Sequence, residues 1–277
     1  DTVSDTGGTA NGGADTRVTS SAVTIEVSAV NDPPTLDATS SGAVFTENGP
    51  AAPFFGSVSL STGDGSASDQ GLSGFEIELS GLDGDGSERL SVPGADISLD
   101  PGASGSLSGG TYTVTALDMN DPSTLAISFD GLGLDASEAE AFLSSIAFST
   151  LSEDPGAQDR VMRITRLSDS GGSENGGTAT IDPEVQARIG VRPVNDPPLL
   201  EADALDGSVR EQASIGLFSG TRISTIETGQ AIDRVEISIS GVSDGFHESL
   251  SIEGDTLALT PGDGVLASGL SYSMQDR

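Results

Sequence analysis

The sequence predicts an all-β fold made of tandem antiparallel β-sandwich repeats, each with one short helix, and three observations lead to this class. Apolar and polar residues alternate with a period of two along many short runs, which is typical of half-buried strands. The chain has 37 glycines and 13 prolines, and turns rich in these residues close most of the runs. The chain also matches itself over long stretches, which indicates repeated domains.

Two pairs of segments carry the internal repeat. Residues 3–34 and 167–198 align without a gap at an offset of 164 residues, and both end in Asn-Asp-Pro-Pro. Four residues are then lost, and FEIELSGLDGDGSERLSV from Phe75 matches VEISISGVSDGFHESLSI from Val235 at an offset of 160. A match of this length is too long to arise by chance, so the chain contains more than one copy of the same domain.

The repeat sets the domain boundaries. We expect residues 1–30 to be the C-terminal strands of a preceding repeat, residues 31–194 to be one complete repeat, and residues 195–277 to be the N-terminal half of the following repeat. On this interpretation both ends fall inside domains, and the natural protein continues in both directions.

The alternating runs predict the strands, and one segment departs from them. Four runs place every second residue on an apolar face: Phe75, Ile77, Leu79; Val235, Ile237, Ile239; Leu125, Ile127, Phe129; and Val23, Ile25, Val27. Residues 135–146 instead place Ala139, Phe142, Leu143 and Ile146 at helical spacing, and Asp135 with Glu138 forms a capping-box pattern. We therefore expect a single short helix, near 135–146, in the complete repeat.

The charge balance excludes some partners and favours others. The chain has 43 acidic and 11 basic residues, a formal net charge of −32, and no lysine or cysteine. Such a field repels nucleic acid and anionic lipid and attracts cations, and no apolar run approaches the roughly 18 residues of a membrane helix. We expect no nucleic acid partner, no membrane insertion in this window and no disulfides. Solubility in salty surroundings and cation binding both explain the acidity.

Catalytic motifs are missing from the sequence. The only histidine, His247, lies in a turn, and Ser87 takes its place in the other copy. Without cysteine or lysine the thiol, Schiff-base and Ser-Lys mechanisms are excluded, and no phosphate-binding glycine loop precedes a helix. The carboxylates lie in turns, where solvent keeps them ionised. We therefore predict that this stretch of the protein is not an enzyme.

The Val-Asn-Asp-Pro-Pro segments suggest calcium. A hard cation takes six to eight oxygen ligands from carboxylates and carbonyls, and each segment offers Asn and Asp beside prolines that stiffen an extended link. A single such segment would be interpreted as an Asx-Pro turn. Here it stands at the boundary of both repeats, after Val30 and after Val194.

These segments resemble the DxNDNxP linker of cadherins and of the cadherin-like repeats in large bacterial surface adhesins secreted by the type I route, the RTX-adhesin type. Glu47 in FTENGP resembles the first-strand glutamate of that family, and Glu211 takes the same place in the next copy. The SDSGGSENGG hairpin resembles its late ASDGG-type loop. This repeat is longer than a cadherin domain, and residues 90–146 resemble only the longer bacterial variants.

The resemblance implies a set of calcium ligands. Asp64 and Asp69 approximate the Asp-x-Asp turn, where the later copy keeps only Glu227, and residues 153–159 (EDPGAQD) approximate the Asp-Arg-Glu turn. We expect Asn195 and Asp196 to share one cluster with Glu211 and at least one acidic residue of 153–159. The full implied set is Asn31, Asp32, Glu47, Asp64, Asp69, Glu153, Asp154, Asp159, Asn195, Asp196, Glu211 and Glu227.

The expected function is therefore a calcium-rigidified extracellular spacer or adhesion region of a bacterial cell-surface protein. Its partners would be the neighbouring repeats of the same chain, with self-association or a host or cell-surface ligand reached through other domains. Two alternatives stay open: a structural subunit of an extracellular filament or sheath, and a glycan- or cell-binding module. The last is disfavoured because the chain has no tryptophan and two tyrosines.

Overall fold

The computed structural model describes residues 1–20, 22–64, 70–252 and 254–275. The chain divides into two compact units, Asp1–Pro197 with Ile226–Thr228, and Pro198–Thr225 with Gly229–Arg277. The main boundary between the units therefore falls within the second Asn-Asp-Pro-Pro segment.

Strands account for most of the regular structure. The strands of the first unit are β1 (Thr2–Ser4), β2 (Thr16–Val18), β3 (Thr35–Ser40), β4 (Val44–Thr46), β5 (Ala52–Pro53), β6 (Phe55–Ser61), β7 (Leu72–Ser80), β8 (Glu88–Val92), β9 (Ala95–Ser98), β10 (Ser104–Leu107), β11 (Gly110–Asp118), β12 (Asp121–Leu134), β13 (Ala147–Thr150), β14 (Arg160–Asp169), β15 (Thr180–Ile181) and β16 (Val185–Arg192). Those of the second unit are β17 (Leu199–Ala204), β18 (Phe218–Ser224), β19 (Ser249–Ile252), β20 (Asp255–Ala258), β21 (Gly262–Val265) and β22 (Ser271–Met274). One α-helix, α1 (Ala136–Ser144), lies in the described ranges. The predicted all-β class is confirmed.

The first unit is built on two main sheets. The larger has the order β10-β11-β12-β7-β14-β16-β4, with β15 paired to β14, and the smaller has the order β5-β13-β8-β9. Two two-stranded sheets, β1–β2 and β3–β6, complete the unit. All of these pairs are antiparallel except β16–β4, where Val191 faces Phe45 in a parallel register. The prediction of purely antiparallel pairing is wrong at this edge, because no hairpin joins these two strands and their direction is free.

The alternating apolar faces of strands in both sheets contribute to one hydrophobic core. Phe75, Ile77 and Leu79 of β7 are fully buried, as are the predicted partners on β12. Phe75 stacks on Phe129 with ring centroids 4.4 Å apart, and Phe148 of the smaller sheet joins the same core. The period-two pattern therefore identified the buried face of both central strands.

The helix forms where its sequence pattern predicted. The Asp135 side chain accepts a hydrogen bond from the Glu138 amide at 2.8 Å, and the Glu138 carboxylate accepts one from the Asp135 amide at 3.0 Å. This reciprocal capping box satisfies donors that the first helical turn leaves free. The helix buries Ala139, Phe142 and Leu143. It ends at Ser144, so Ile146, which is also buried, lies after the helix.

Repeated sequence gives repeated local structure. The turn Ala10–Gly12 and the turn Glu174–Gly176 are both 3₁₀ turns, 164 residues apart, and each holds its asparagine in the left-handed region, with φ of 58° at Asn11 and 55° at Asn175. By the alignment of the repeats, the pair β17–β18 of the second unit corresponds to β3–β6, and the pair β19–β20 corresponds to β8–β9.

Two predicted strands are not formed. Val23, Ile25 and Val27 are 80–89% exposed and lie outside any strand, and the run from Val235 to Ile239 is also irregular and exposed. Their counterparts lie in β16, between β14 and β4, and in β7, between β12 and β14. An alternating run becomes a strand only when partner strands accept its backbone hydrogen bonds, and the described residues supply these partners for one copy only.

Candidate metal centre

The candidate site begins where β4 and β16 end. Because these two strands run parallel, their C-terminal ends lie side by side, and Glu47 lies beside the segment that leads into Asp196. The Glu47 amide donates to the Arg192 carbonyl at 3.0 Å, and Glu47 Oε2 accepts from the Val194 amide at 2.7 Å. The glutamate side chain is thus fixed at the second junction, although it belongs to the start of the complete repeat.

Three carboxylates meet at this point. Glu47, Glu153 and Asp196 each offer one oxygen, and these oxygens all lie within 4.8 Å of one another. Glu47 is buried, Asp196 is half-buried and Glu153 is exposed. Glu153 Oε2 accepts a hydrogen bond from Asn48 Nδ2 at 3.2 Å, which connects the loop after β13 with the turn after β4.

A fourth segment approaches the same cluster. Ile226–Thr228 belongs to the first compact unit, apart from the sequence around it. The Asp196 amide donates to Glu227 Oε1, and the Thr228 amide donates to Asp154 Oδ2 at 2.9 Å. Acidic side chains from four separate stretches of chain therefore converge on the second Asn-Asp-Pro-Pro segment.

The electrostatics of this cluster are unfavourable without a cation. Burial raises the pKa of the Glu47 carboxyl above its usual value, and repulsion from Asp196 and Glu153 adds to that shift. Burial likewise raises the pKa of Asp196, with repulsion from Glu153 as the next cause. In the described part of the chain, no arginine or histidine forms an ion pair with any of the three carboxylates.

Two buried oxygens of the cluster fit a metal ligand role. Glu47 Oε1 and Asp196 Oδ2 are shielded from solvent and accept no hydrogen bond from the described residues. A buried acceptor without a donor is rare and costly unless something else satisfies it. The donors are all oxygen, which suits a hard cation such as Ca²⁺ or Mg²⁺ rather than a soft thiolate-binding metal.

The first Asn-Asp-Pro-Pro segment also has unsatisfied oxygens near it. Asn31 is buried, and its Nδ2 donates to Asp169 Oδ1 at 3.1 Å and to the Thr178 carbonyl at 2.9 Å. Asn31 Oδ1, Asp64 Oδ2 and Gln70 Oε1 are buried and accept no hydrogen bond from described groups. A side chain at Gly171 would overlap the amides of both Asn31 and Gln70, so those two amides converge on one point.

The remaining predicted ligands are placed as follows. Asp32 is exposed, with its carbonyl against Gly63, and Asp69 lies outside the described residues. Asp159 Oδ2 forms an ion pair with Arg188 Nη1 at 3.2 Å, and both side chains are exposed. Asn195 is exposed and donates to the Asp196 carbonyl at 3.1 Å.

Glu211 is a predicted ligand that belongs to the second compact unit. It lies exposed in a turn of the second unit, and the carboxylate beside Asp196 is Glu47. The sequence did not predict that Glu47 lies beside Asp196, because this neighbourhood depends on the parallel pairing of β4 with β16.

Asp169 and Gln70 were not predicted as site residues. Asp169 lies in the SDSGG segment, and the resemblance of this segment to the late loop of the cadherin-like family is the signal that points to it. Gln70 carries no such signal, since a single amide in a Gly/Ser-rich turn is ordinary.

Comparisons of the chain with family models, with curated proteins and with solved structures gave no match. Among the helices of the described residues, none combines the length and the apolar character needed to cross a membrane.

Proposed function

We propose that the chain belongs to an extracellular protein of tandem cadherin-like β-sandwich repeats in which calcium stiffens the junctions between repeats. One observation carries this proposal: the convergence of Glu47, Glu153 and Asp196 within 4.8 Å, with two buried oxygens that have no hydrogen-bond donor. A divalent cation would satisfy these oxygens and remove the mutual repulsion of the carboxylates.

Calcium suits the donor set better than magnesium. Calcium accepts six to eight oxygens in flexible geometry, whereas magnesium demands a near-ideal octahedron and keeps several waters. The three carboxylates are supplied by different loops. When bound, the cation would supply the positive charge that holds these loops together, and Glu47, Glu153 and Asp196 would be its carboxylate ligands.

The mechanical consequence follows from where the ligands lie in the sequence. The ligands Glu47 and Glu153 come from the complete repeat and Asp196 from the linker, and the Asp196 amide donates to Glu227, which the sequence assigns to the following repeat. Ligands drawn from these regions would make the linker stiff in calcium and flexible without it. A rod of such repeats projecting a distal domain from a bacterial surface is the role we propose, and a catalytic role is not part of it.

The single histidine of the chain lies at the surface. His247 Nδ1 lies 2.9 Å from Asp244 Oδ2, but both side chains are mostly exposed, at 83% and 60%. An imidazole in that setting is solvated, and no nucleophile among the described residues is hydrogen-bonded to it.

Titration calorimetry combined with solution scattering tests the proposal. The 277-residue chain should take up calcium, and magnesium at the same concentration should compete poorly. Chelation should shorten the average end-to-end length, because a flexible linker samples bent arrangements. Asp196→Asn should reproduce the chelated length even in calcium.

The matched control is Asp96→Asn, which removes the same charge from an exposed position on β9. It should bind calcium and scatter like the unmodified chain. If the unmodified chain takes up no calcium, or has the same length with and without it, the proposal is wrong. Scattering that instead reports side-by-side association of chains would favour the filament-subunit alternative.

A further inference from the structure

Arg160 is a fully buried cation in a chain of net charge −32. It opens β14 on the inward face, in phase with the buried Met162 and Ile164. Its guanidinium carbon lies 5.5 Å from the centre of the Phe148 ring, within cation–π range. A charge in this position persists only when it is paired and hydrogen-bonded.

All three guanidinium nitrogens donate hydrogen bonds. Nε donates to Glu88 Oε1 and Nη2 to Asp83 Oδ2, both at 2.6 Å. Nη1 donates to the carbonyls of Gln158 at 2.7 Å and Gly156 at 3.2 Å. The arginine therefore joins the turn 83–88 to the loop that precedes β14.

Asp83 holds the same loop from the other side. Its Oδ2 accepts from the Gly156 amide at 2.9 Å, and its Oδ1 accepts from Gln158 Nε2 at 2.7 Å. The start of the loop is fixed to the same turn, since the Leu151 amide donates to the Ser87 carbonyl at 3.1 Å. Residues 151–158 are thus tied at both ends to the turn 83–88.

This loop carries Glu153, the exposed member of the three-carboxylate group. Because the Glu153 side chain is exposed and lies near two other carboxylates, moving into water would lower its electrostatic repulsion with them. Holding the backbone of its loop limits that escape and keeps the carboxylate near Glu47 and Asp196. Groups outside the ligand shell that orient the ligands commonly change metal affinity by roughly 10–100-fold.

We infer that Arg160 and Asp83 are positioning residues for the cation site, acting through the 151–158 loop that carries Glu153. This inference rests on the proposed function, since it concerns the same site. The buried ion network lies outside the carboxylate cluster itself, and a simple apolar core would not require it. A positioning role explains why the network is present.

The test uses Asp83 and Gln158, because removing Arg160 would leave Glu88 buried without a partner and endanger the fold. Asp83→Asn removes the charge that Arg160 and the Gly156 amide face. Gln158→Ala removes a single exposed side-chain bond to the same carboxylate. Asp96→Asn is the control, equal in charge change to Asp83→Asn and placed away from the loop on β9.

Two measurements are made on each full-length variant: the calcium dissociation constant by calorimetry, and hydrogen exchange of residues 151–158 in calcium-free buffer. We expect Asp83→Asn to weaken calcium binding by roughly 10–100-fold and to speed exchange in this loop, with exchange in β7 and β12 unchanged. Gln158→Ala should change the calcium dissociation constant and the exchange rate of the loop in the same direction, each by a smaller factor. Asp96→Asn should change neither quantity.

The outcomes separate the two proposals. If the unmodified chain binds no calcium, the proposed function fails and this inference fails with it. If the unmodified chain binds calcium and Asp83→Asn binds it equally well, only the positioning role is overturned. Should Asp83→Asn fail to fold, Gln158→Ala decides, and an unchanged dissociation constant in that variant overturns the inference.

Discussion

Replacing Glu47 with glutamine keeps the shape of the side chain and removes one of the three clustered charges. The amide oxygen can still accept the Val194 amide, and the new amide group can donate toward the unsatisfied Asp196 Oδ2. Burial and repulsion both raise the pKa of Glu47, so its charged form is disfavoured in the folded, calcium-free chain. We therefore expect Glu47→Gln to stabilise the calcium-free protein and to destabilise the calcium-bound protein relative to the unmodified chain.

The size of the calcium effect follows from linkage. A ligand at 100 times its dissociation constant stabilises the folded state by about 2.7 kcal/mol. The first unit, mainly Asp1–Pro197, falls in the size range where 1 kcal/mol shifts the melting temperature by roughly 2–4 °C. Calcium should therefore raise its melting temperature by about 5–11 °C. Losing one carboxylate ligand, with a roughly 10–100-fold loss of affinity, should reduce this shift to about 1–6 °C.

Differential scanning calorimetry of both proteins, in calcium and in calcium-free buffer, measures all four melting temperatures. The decisive result is a crossing, in which Glu47→Gln melts higher than the unmodified chain without calcium and lower with it. Asp96→Asn serves as the control and should keep the full calcium shift. An unchanged calcium shift in Glu47→Gln would refute the assignment of Glu47 as a ligand.

Three further outcomes are expected. Because the pKa values of Glu47 and Asp196 are raised in the folded state, these two carboxyls bind more protons when folded than when unfolded, between the ordinary carboxylate range near pH 4 and the raised values, in the calcium-free chain. Its melting temperature should thus rise on acidification from pH 7 to about pH 5, and rise less in Glu47→Gln; an equal rise in both would contradict this. Phe75→Ala should lower the free energy of unfolding, measured in urea, by about 3–5 kcal/mol, because Phe75 is fully buried against Phe129. Phe246→Ala is the control: this position is 81% exposed, and the free energy of unfolding should change by no more than about 0.5 kcal/mol. Asp135→Ala should cost about 1 kcal/mol by removing the helix cap, and no change in urea unfolding would mean that the cap contributes nothing.

Features that depend on neighbouring residues could be predicted from the sequence. The alternation of Phe75, Ile77 and Leu79 identified a buried strand face, since side chains of a strand point alternately to its two sides. Asp135 and Glu138 identified the start of the helix because the capping box spans only four residues. The matched segments at an offset of 164 predicted two equivalent turns, and Asn11 and Asn175 adopt the same left-handed conformation.

Features that depend on which strands pair were decided by the tertiary structure. Val23, Ile25 and Val27 have the alternation of a strand but lie exposed, because a strand also needs partners for its backbone groups. Glu47 lies beside Asp196 because β4 runs parallel to β16, a pairing that joins residues far apart in the chain and leaves no local pattern. Arg160 is in phase with the buried Met162 and Ile164, but only the folded chain brings Asp83 and Glu88 next to it. The Coulomb attraction that stabilises a buried charge acts through space and not along the sequence.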